Sequence, residues 1–163
     1  MAGDPFQPLL DDHEEFLEKL NELEAVLDEM MRTRDASDEN RELLDESVRF
    51  FDEELLPHLR KEDEVLLPPL EAAIGRFGTL VNVIAYEHEE IRREVSKFKE
   101  ARAELGTRKD SWPAIQELNR HGIFAIQFLW DHFRKERVSL FPTAAKSLSP
   151  EALRDLGRRL AHG

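Results

Sequence analysis

HLRKEDEVLLP at residues 58–68 returns as HFRKERVSLFP at residues 132–142, with His, Arg, Lys, Glu, Leu and Pro in register. The two copies start 132 − 58 = 74 residues apart. A second pair, DHEEFLEKL at 12–20 and EHEEIRREV at 87–95, is offset by 87 − 12 = 75 residues. Near-equal offsets mean that a two-helix hairpin is repeated, the first and second helices matching the third and fourth. Each half supplies a lone histidine, His13 or His88, and then a His-x-x-x-Glu pair, His58 with Glu62 or His132 with Glu136. Residues four apart on an α-helix lie on one face one turn apart, so each pair aims an imidazole and a carboxylate at one point. Two such halves facing each other across a pseudo-two-fold axis gather four imidazoles and two carboxylates in a bundle core, where facing helices commonly build metal sites.

The flanking sequence supports that reading. Apolar residues recur at helical spacing almost throughout, and no stretch alternates as a strand would, so the fold is expected to be all-α. Leu9, Phe16, Leu20, Leu23, Leu27 and Met30 form the stripe of a first helix. Ser37 is a plausible N-cap for a second, carrying Leu43, Leu44, Val48, Phe51 and Leu55. Pro57 is expected to kink that helix just before His58, and Pro68 with Pro69 to end or sharply bend it. A third helix starts near Thr79 with Leu80, Ile84, Ile91, Val95 and Phe98 facing inward, and a fourth follows Ser111 with Phe124, Phe128, Leu129 and Phe133 inward. Ser149 and Pro150 read as cap and first turn of a short terminal helix. The expected architecture is an up-and-down four-helix bundle over about residues 8–145 with a terminal helix over about 149–162, all in one domain.

Six ligands, two of them able to bridge, favour two divalent ions over one, each taking two histidines and a share of Glu62 and Glu136. Imidazole suits iron, zinc, copper or nickel, and mixed His/carboxylate sites with open positions are characteristic of non-haem iron. Bridging would offset carboxylate charge that is prohibitive when buried unpaired. An exposed i, i+4 hydrogen-bonded pair is the ordinary explanation of one His-x-x-x-Glu; two in register, each preceded by a lone histidine, argue against it.

This pattern resembles the hemerythrin family, in particular the branch of HHE cation-binding domains, and the resemblance covers the first four helices. It implies a non-haem di-iron centre held by His13, His58, Glu62, His88, His132 and Glu136. It also implies a role among oxygen binding, sensing of oxygen, nitric oxide, iron or redox state, and handling of peroxide. The oxygen carriers of that family have a fifth histidine one turn before the position of His88, where this chain has Ile84. They also use a longer second His-to-carboxylate spacing than His132 to Glu136, which places this chain nearer the four-histidine, two-glutamate branch.

Other residues have simpler readings. His121 and His162 are expected to be surface or hydrogen-bonded histidines, His121 lying three turns from His132. Glu54, one turn before His58, is a candidate additional ligand. The HEE and RKE runs are expected to be solvated faces, and Tyr86 to point away from His88. Thirty-five acidic against 23 basic residues give a net charge of −12, which disfavours nucleic acid and anionic lipid as partners. No cysteine is present, so neither a disulfide framework nor a thiolate metal site is available. With no signal-like start and no membrane-spanning run, a soluble cytoplasmic protein is expected. The functions in competition are binding or sensing of a small diatomic ligand, redox catalysis such as peroxide decomposition, and iron storage or delivery.

Overall fold

The computed structural model of the chain describes residues 3–107 and 109–162. Four long helices are present: α1 (Gln7–Thr33), α2 (38–74), α3 (Leu80–Glu104) and α4 (112–147), followed by a short α5 (Pro150–Ala161). Consecutive helices are joined by short turns, α1 packs on α2 and α4, and α3 packs on α4 and α2, which closes an up-and-down ring. Among the described residues there is no strand, and no helix is long and apolar enough to cross a membrane.

The helix starts follow the local chemistry. Ser37 Oγ accepts from the Asn40 amide while Asn40 Oδ1 accepts from the Ser37 amide, a reciprocal cap that satisfies two donors the first turn would otherwise leave orphaned. Thr79 and Ser149 cap α3 and α5 through their hydroxyls, with Pro150 in the first turn of α5. At the head of α4 the cap comes from Asp110 instead of Ser111: its Oδ1 accepts from the Trp112 amide. Trp112 carries the Arg34 guanidinium over its ring at 4.1 Å.

The helix end expected at Pro68 and Pro69 does not occur. The second helix passes Pro57, Pro68 and Pro69 without a break and ends at Gly75, whose positive φ of 83° suits a residue lacking Cβ. Each of Pro57, Pro68 and Pro142 instead follows a single wide π-helical turn, at 51–55, 62–66 and 136–140, in which Leu56, Leu67 and Phe141 donate to the carbonyls of Phe51, Glu62 and Glu136, five residues back. A proline ring collides with the carbonyl four residues behind it; widening the preceding turn carries that carbonyl aside and lets the helix continue. Such turns concentrate at functional sites, and two of these three begin at Glu62 and Glu136.

The apolar core is split into two clusters. One contains Phe16, Leu20, Leu27, Phe51, Leu59, Ile91, Phe98, Leu129 and Phe133; the other contains Phe6, Leu9, Leu66, Leu70, Ile84, Leu140, Phe141, Leu156 and Leu160. Helix α5 covers the second. Of the residues expected inside on α4, Leu129 and Phe133 are buried, but Phe124 is 44% exposed and stacks on the partly buried Phe128. The core stripe of α4 runs through Leu118, Ala125, Ile126, Leu129 and Phe133, and the helical period leaves Phe124 and Phe128 on its flank.

Gly122 sits where α4 crosses α1 and α3: a Cβ there would lie 2.7 Å from Leu27 Cδ1 and 3.3 Å from the Phe98 ring. Gly122→Val should lower unfolding free energy by about 1–3 kcal/mol through overpacking, and Ser37→Ala by about 1 kcal/mol through loss of its cap. Urea denaturation checks both; an unchanged midpoint for Gly122→Val would contradict the close approach.

Candidate metal centre

The layer between the two apolar clusters is polar. His13 lies between Leu9 and Phe16 on α1, Glu62 between Leu59 and Leu66 on α2, His88 between Ile84 and Ile91 on α3, and Glu136 between Phe133 and Leu140 on α4. His58 and His132 complete the layer one turn before the two glutamates. All six are buried, and Glu62, His88, His132 and Glu136 have no exposed surface. His58 with Glu62, and His132 with Glu136, sit in regular α turns that end where the wide turns begin: the Glu62 amide still donates to the His58 carbonyl and the Glu136 amide to that of His132. The i, i+4 alignment is therefore intact.

The structure brings all six predicted residues together. Nε2 of His13 is 3.1 Å from Glu136 Oε1, and Nε2 of His132 is 3.5 Å from Glu136 Oε2. Nε2 of His88 is 3.1 Å from Glu62 Oε1, and Nε2 of His58 is 3.6 Å from Glu62 Oε2. The donor atoms form two groups, His13, His58, Glu62, Glu136 and Glu62, His88, His132, Glu136, each within 4.8 Å, sharing both carboxylates. None of the four Nε2 atoms and none of the four glutamate oxygens has a hydrogen-bond partner. Native proteins rarely leave one buried polar atom unsatisfied, let alone eight in one place; a cation at each group would satisfy all of them, so the donor set fits two metal ions.

Acidic residues outside the cluster fix three of the rings. Nδ1 of His58 is 2.9 Å from Asp12, that of His88 2.7 Å from Asp63, and that of His132 2.8 Å from Glu87. A carboxylate accepts only, so each Nδ1 carries a proton and each Nε2 is the nitrogen turned inward, the one left to ligate a metal. Arg92 pairs with Asp63, and Lys135 with Glu87. His13 makes no such bond among the described residues; its ring stacks on Phe133 at 4.2 Å.

Without a metal these groups share too few protons to be comfortable. Burial pulls His13 down to about 3. Burial acts the same way on His58, but the Glu62 charge and the Asp12 hydrogen bond outweigh it and push that imidazole up to about 10. Burial would raise both glutamates; the nearby His58 charge holds Glu62 well below the usual carboxylate range, while burial and the Glu62 charge hold Glu136 well above it.

The surrounding residues depart from expectation at Glu54 and in the RKE runs, while His121, His162 and Tyr86 follow it. Glu54 is exposed and joins neither group of buried donors. His121 is a hydrogen-bonded histidine, with Nδ1 2.6 Å from Glu94 and Nε2 3.1 Å from Glu117. His162 and Tyr86 are exposed. The RKE runs are not wholly solvated, since Lys135 bonds Glu87 and Lys61 donates to the Leu160 carbonyl at 2.9 Å. The three ring-fixing acids were missed, although the sequence held a signal for two: an acid, Asp12 or Glu87, directly precedes each lone histidine and bonds the histidine of the neighbouring helix. Asp63 had no such signal, as Arg137 occupies its place in the second copy.

The family model described as the hemerythrin HHE cation binding domain matches residues 4–144. No curated protein matches the chain.

Metal uptake should release protons. His58 is protonated in the metal-free chain at neutral pH, and an ion at its Nε2 displaces that proton, so apparent affinity should rise with pH from neutrality toward about 10. Titration of the metal-free protein with zinc in weak buffer, with pH recorded, measures the release; affinity independent of pH over that range would contradict the assignment.

Proposed function

The chain belongs to the hemerythrin HHE cation-binding family, and we propose that it is a cytoplasmic non-haem di-iron protein whose centre takes up a small ligand such as oxygen or nitric oxide. One observation carries the reading: the eight orphaned donor atoms at the junction of the two cores. We assign His13 and His58 to one ion, His88 and His132 to the other, and Glu62 and Glu136 to both. Imidazole and carboxylate together match non-haem iron better than the all-oxygen sites of magnesium or calcium, or the thiolate sites of structural zinc.

Iron, when bound, supplies a redox-active centre with coordination positions that the protein leaves free. Four donors converge in each group, and no further ligand-type side chain joins either among the described residues: one turn before His88 stands Ile84, apolar and wholly buried. The residues around the centre have separable tasks. Asp12, Asp63 and Glu87 hold three imidazoles in the ligating tautomer. Phe16, Phe133 and Phe141 pack on the imidazoles of His58 and His13 and keep bulk water from the polar layer.

Protein purified from iron-supplemented cells should contain two irons per chain, and the reduced form should change its absorption spectrum on exposure to oxygen or nitric oxide. Glu62→Gln and Glu136→Gln should each lower the iron content, since each removes ligand charge from both ions. Stoichiometric zinc, or no metal at all, would leave a structural bundle in place of a ligand-binding one. Two irons without any spectral response to either gas would contradict the ligand proposal while sparing the metal assignment.

A further inference from the structure

The repeat duplicates the six central donors but not their surroundings. Around His88 and His132 each ring is hydrogen-bonded to an acid, Asp63 or Glu87, and each acid is in turn clamped by a cation, Arg92 or Lys135. The Glu87 side chain is only 10% exposed. Around His13 and His58 the arrangement is thinner. Among the described residues no acid meets Nδ1 of His13, whose ring stacks on Phe133; the position matching Asp63 is Arg137. His58 bonds Asp12, whose side chain is 41% exposed and has no cation partner among the described residues. Lys61, the counterpart of Lys135, is turned away to the carbonyl of Leu160.

That weaker half also meets the surface. An open hollow of about 200 Å³ has His58 in its wall and Asp12, Glu15, Glu54 and Lys61 around it. Its three carboxylates against one ammonium favour a cation in the approach, and the Asp12–His58 bond lies where the hollow adjoins the cluster.

We propose that the two ion positions are unequal: the position between His13 and His58 exchanges its ion through the hollow beside Asp12, while the position between His88 and His132 retains its ion. This rests on the di-iron reading above. Carboxylates that orient and polarise ligating imidazoles are worth roughly 10–100-fold in metal affinity, and the second position has two clamped ones where the first has one unclamped. Asp63 and Glu87 are thus positioning residues that act through His88 and His132. An exchangeable ion beside a retained one would let the protein respond to iron supply as well as to a small ligand.

The test begins with unaltered protein loaded anaerobically with ferrous iron and exposed to a strong ferrous chelator. Iron should leave in two steps, and crystals prepared after the first should show the remaining anomalous scattering between His88 and His132. Asp63→Asn, which keeps all six ligands, should speed the slow step about 10–100-fold, with Asp63→Glu restoring part of the retention. Glu15→Gln combined with Glu54→Gln should slow the fast step and leave the slow one unchanged. Remaining iron between His13 and His58, equal occupancy of both positions, or a slow step indifferent to Asp63→Asn would overturn the inequality. Failure of the unaltered protein to take up two irons would overturn the di-iron reading itself, and this inference with it.

Discussion

Four imidazoles and two carboxylates buried as one layer in an otherwise apolar bundle set the terms for the rest of the molecule. A buried polar atom left without a partner costs about 1–3 kcal/mol, and a domain of this kind is stable by only ~5–15 kcal/mol in total. Eight such atoms in contact would consume a comparable amount. Three of the four imidazoles are held from outside by an acid at Nδ1, so their Nε2 atoms face the layer and the few protons within it cannot satisfy every donor. Cations relieve all of them, because both imidazole Nε2 and carboxylate oxygen are metal donors. The apolar clusters on either side then serve two ends: they supply the burial that drives folding, and they keep the layer dry enough for charge interactions to be strong.

The repeat explains how a short sequence delivers this arrangement. One hairpin contributes a lone histidine and a His-x-x-x-Glu pair, and its copy packs against it so that each glutamate stands between a histidine of its own helix and one from another. Glu62 approaches His58 and His88; Glu136 approaches His132 and His13. Each half thereby lends its carboxylate to the other. The wide turns that start at Glu62 and Glu136 belong to the same design, since they let the ligand-bearing helices run on through Pro68 and Pro142 into the second cluster, where α5 closes the end of the bundle.

How much of this could be read from the chain depends on the range of the interaction. The bundle and the six central residues were legible because helical periodicity and i, i+4 spacing are local and the repeat shows them twice. Pro68 and Pro69 were misleading as a helix end. Their clash is local, but its resolution by a widened turn depends on a helix already held in place at both ends by packing, which no window of sequence displays. Phe124 and Phe128 look like core residues by type, yet the phase set by Ala125, Ile126 and Leu129 leaves them on the flank. Asp63 reaches His88 across 25 positions of sequence, a pairing that only the assembled hairpins reveal. The acids preceding His13 and His88 could have been noticed, because the repeat preserves an acid there, but their targets lie on neighbouring helices.

The most direct test of the account is X-ray absorption at the iron edge on protein isolated with its metal. Six donors shared between two ions predict scattering from about two imidazoles per iron together with an iron–iron vector on the order of 3–4 Å, as in other two-metal sites. Iron with no iron–iron scattering, or with a shell lacking imidazole, would contradict the claim that this polar layer exists to hold two ions.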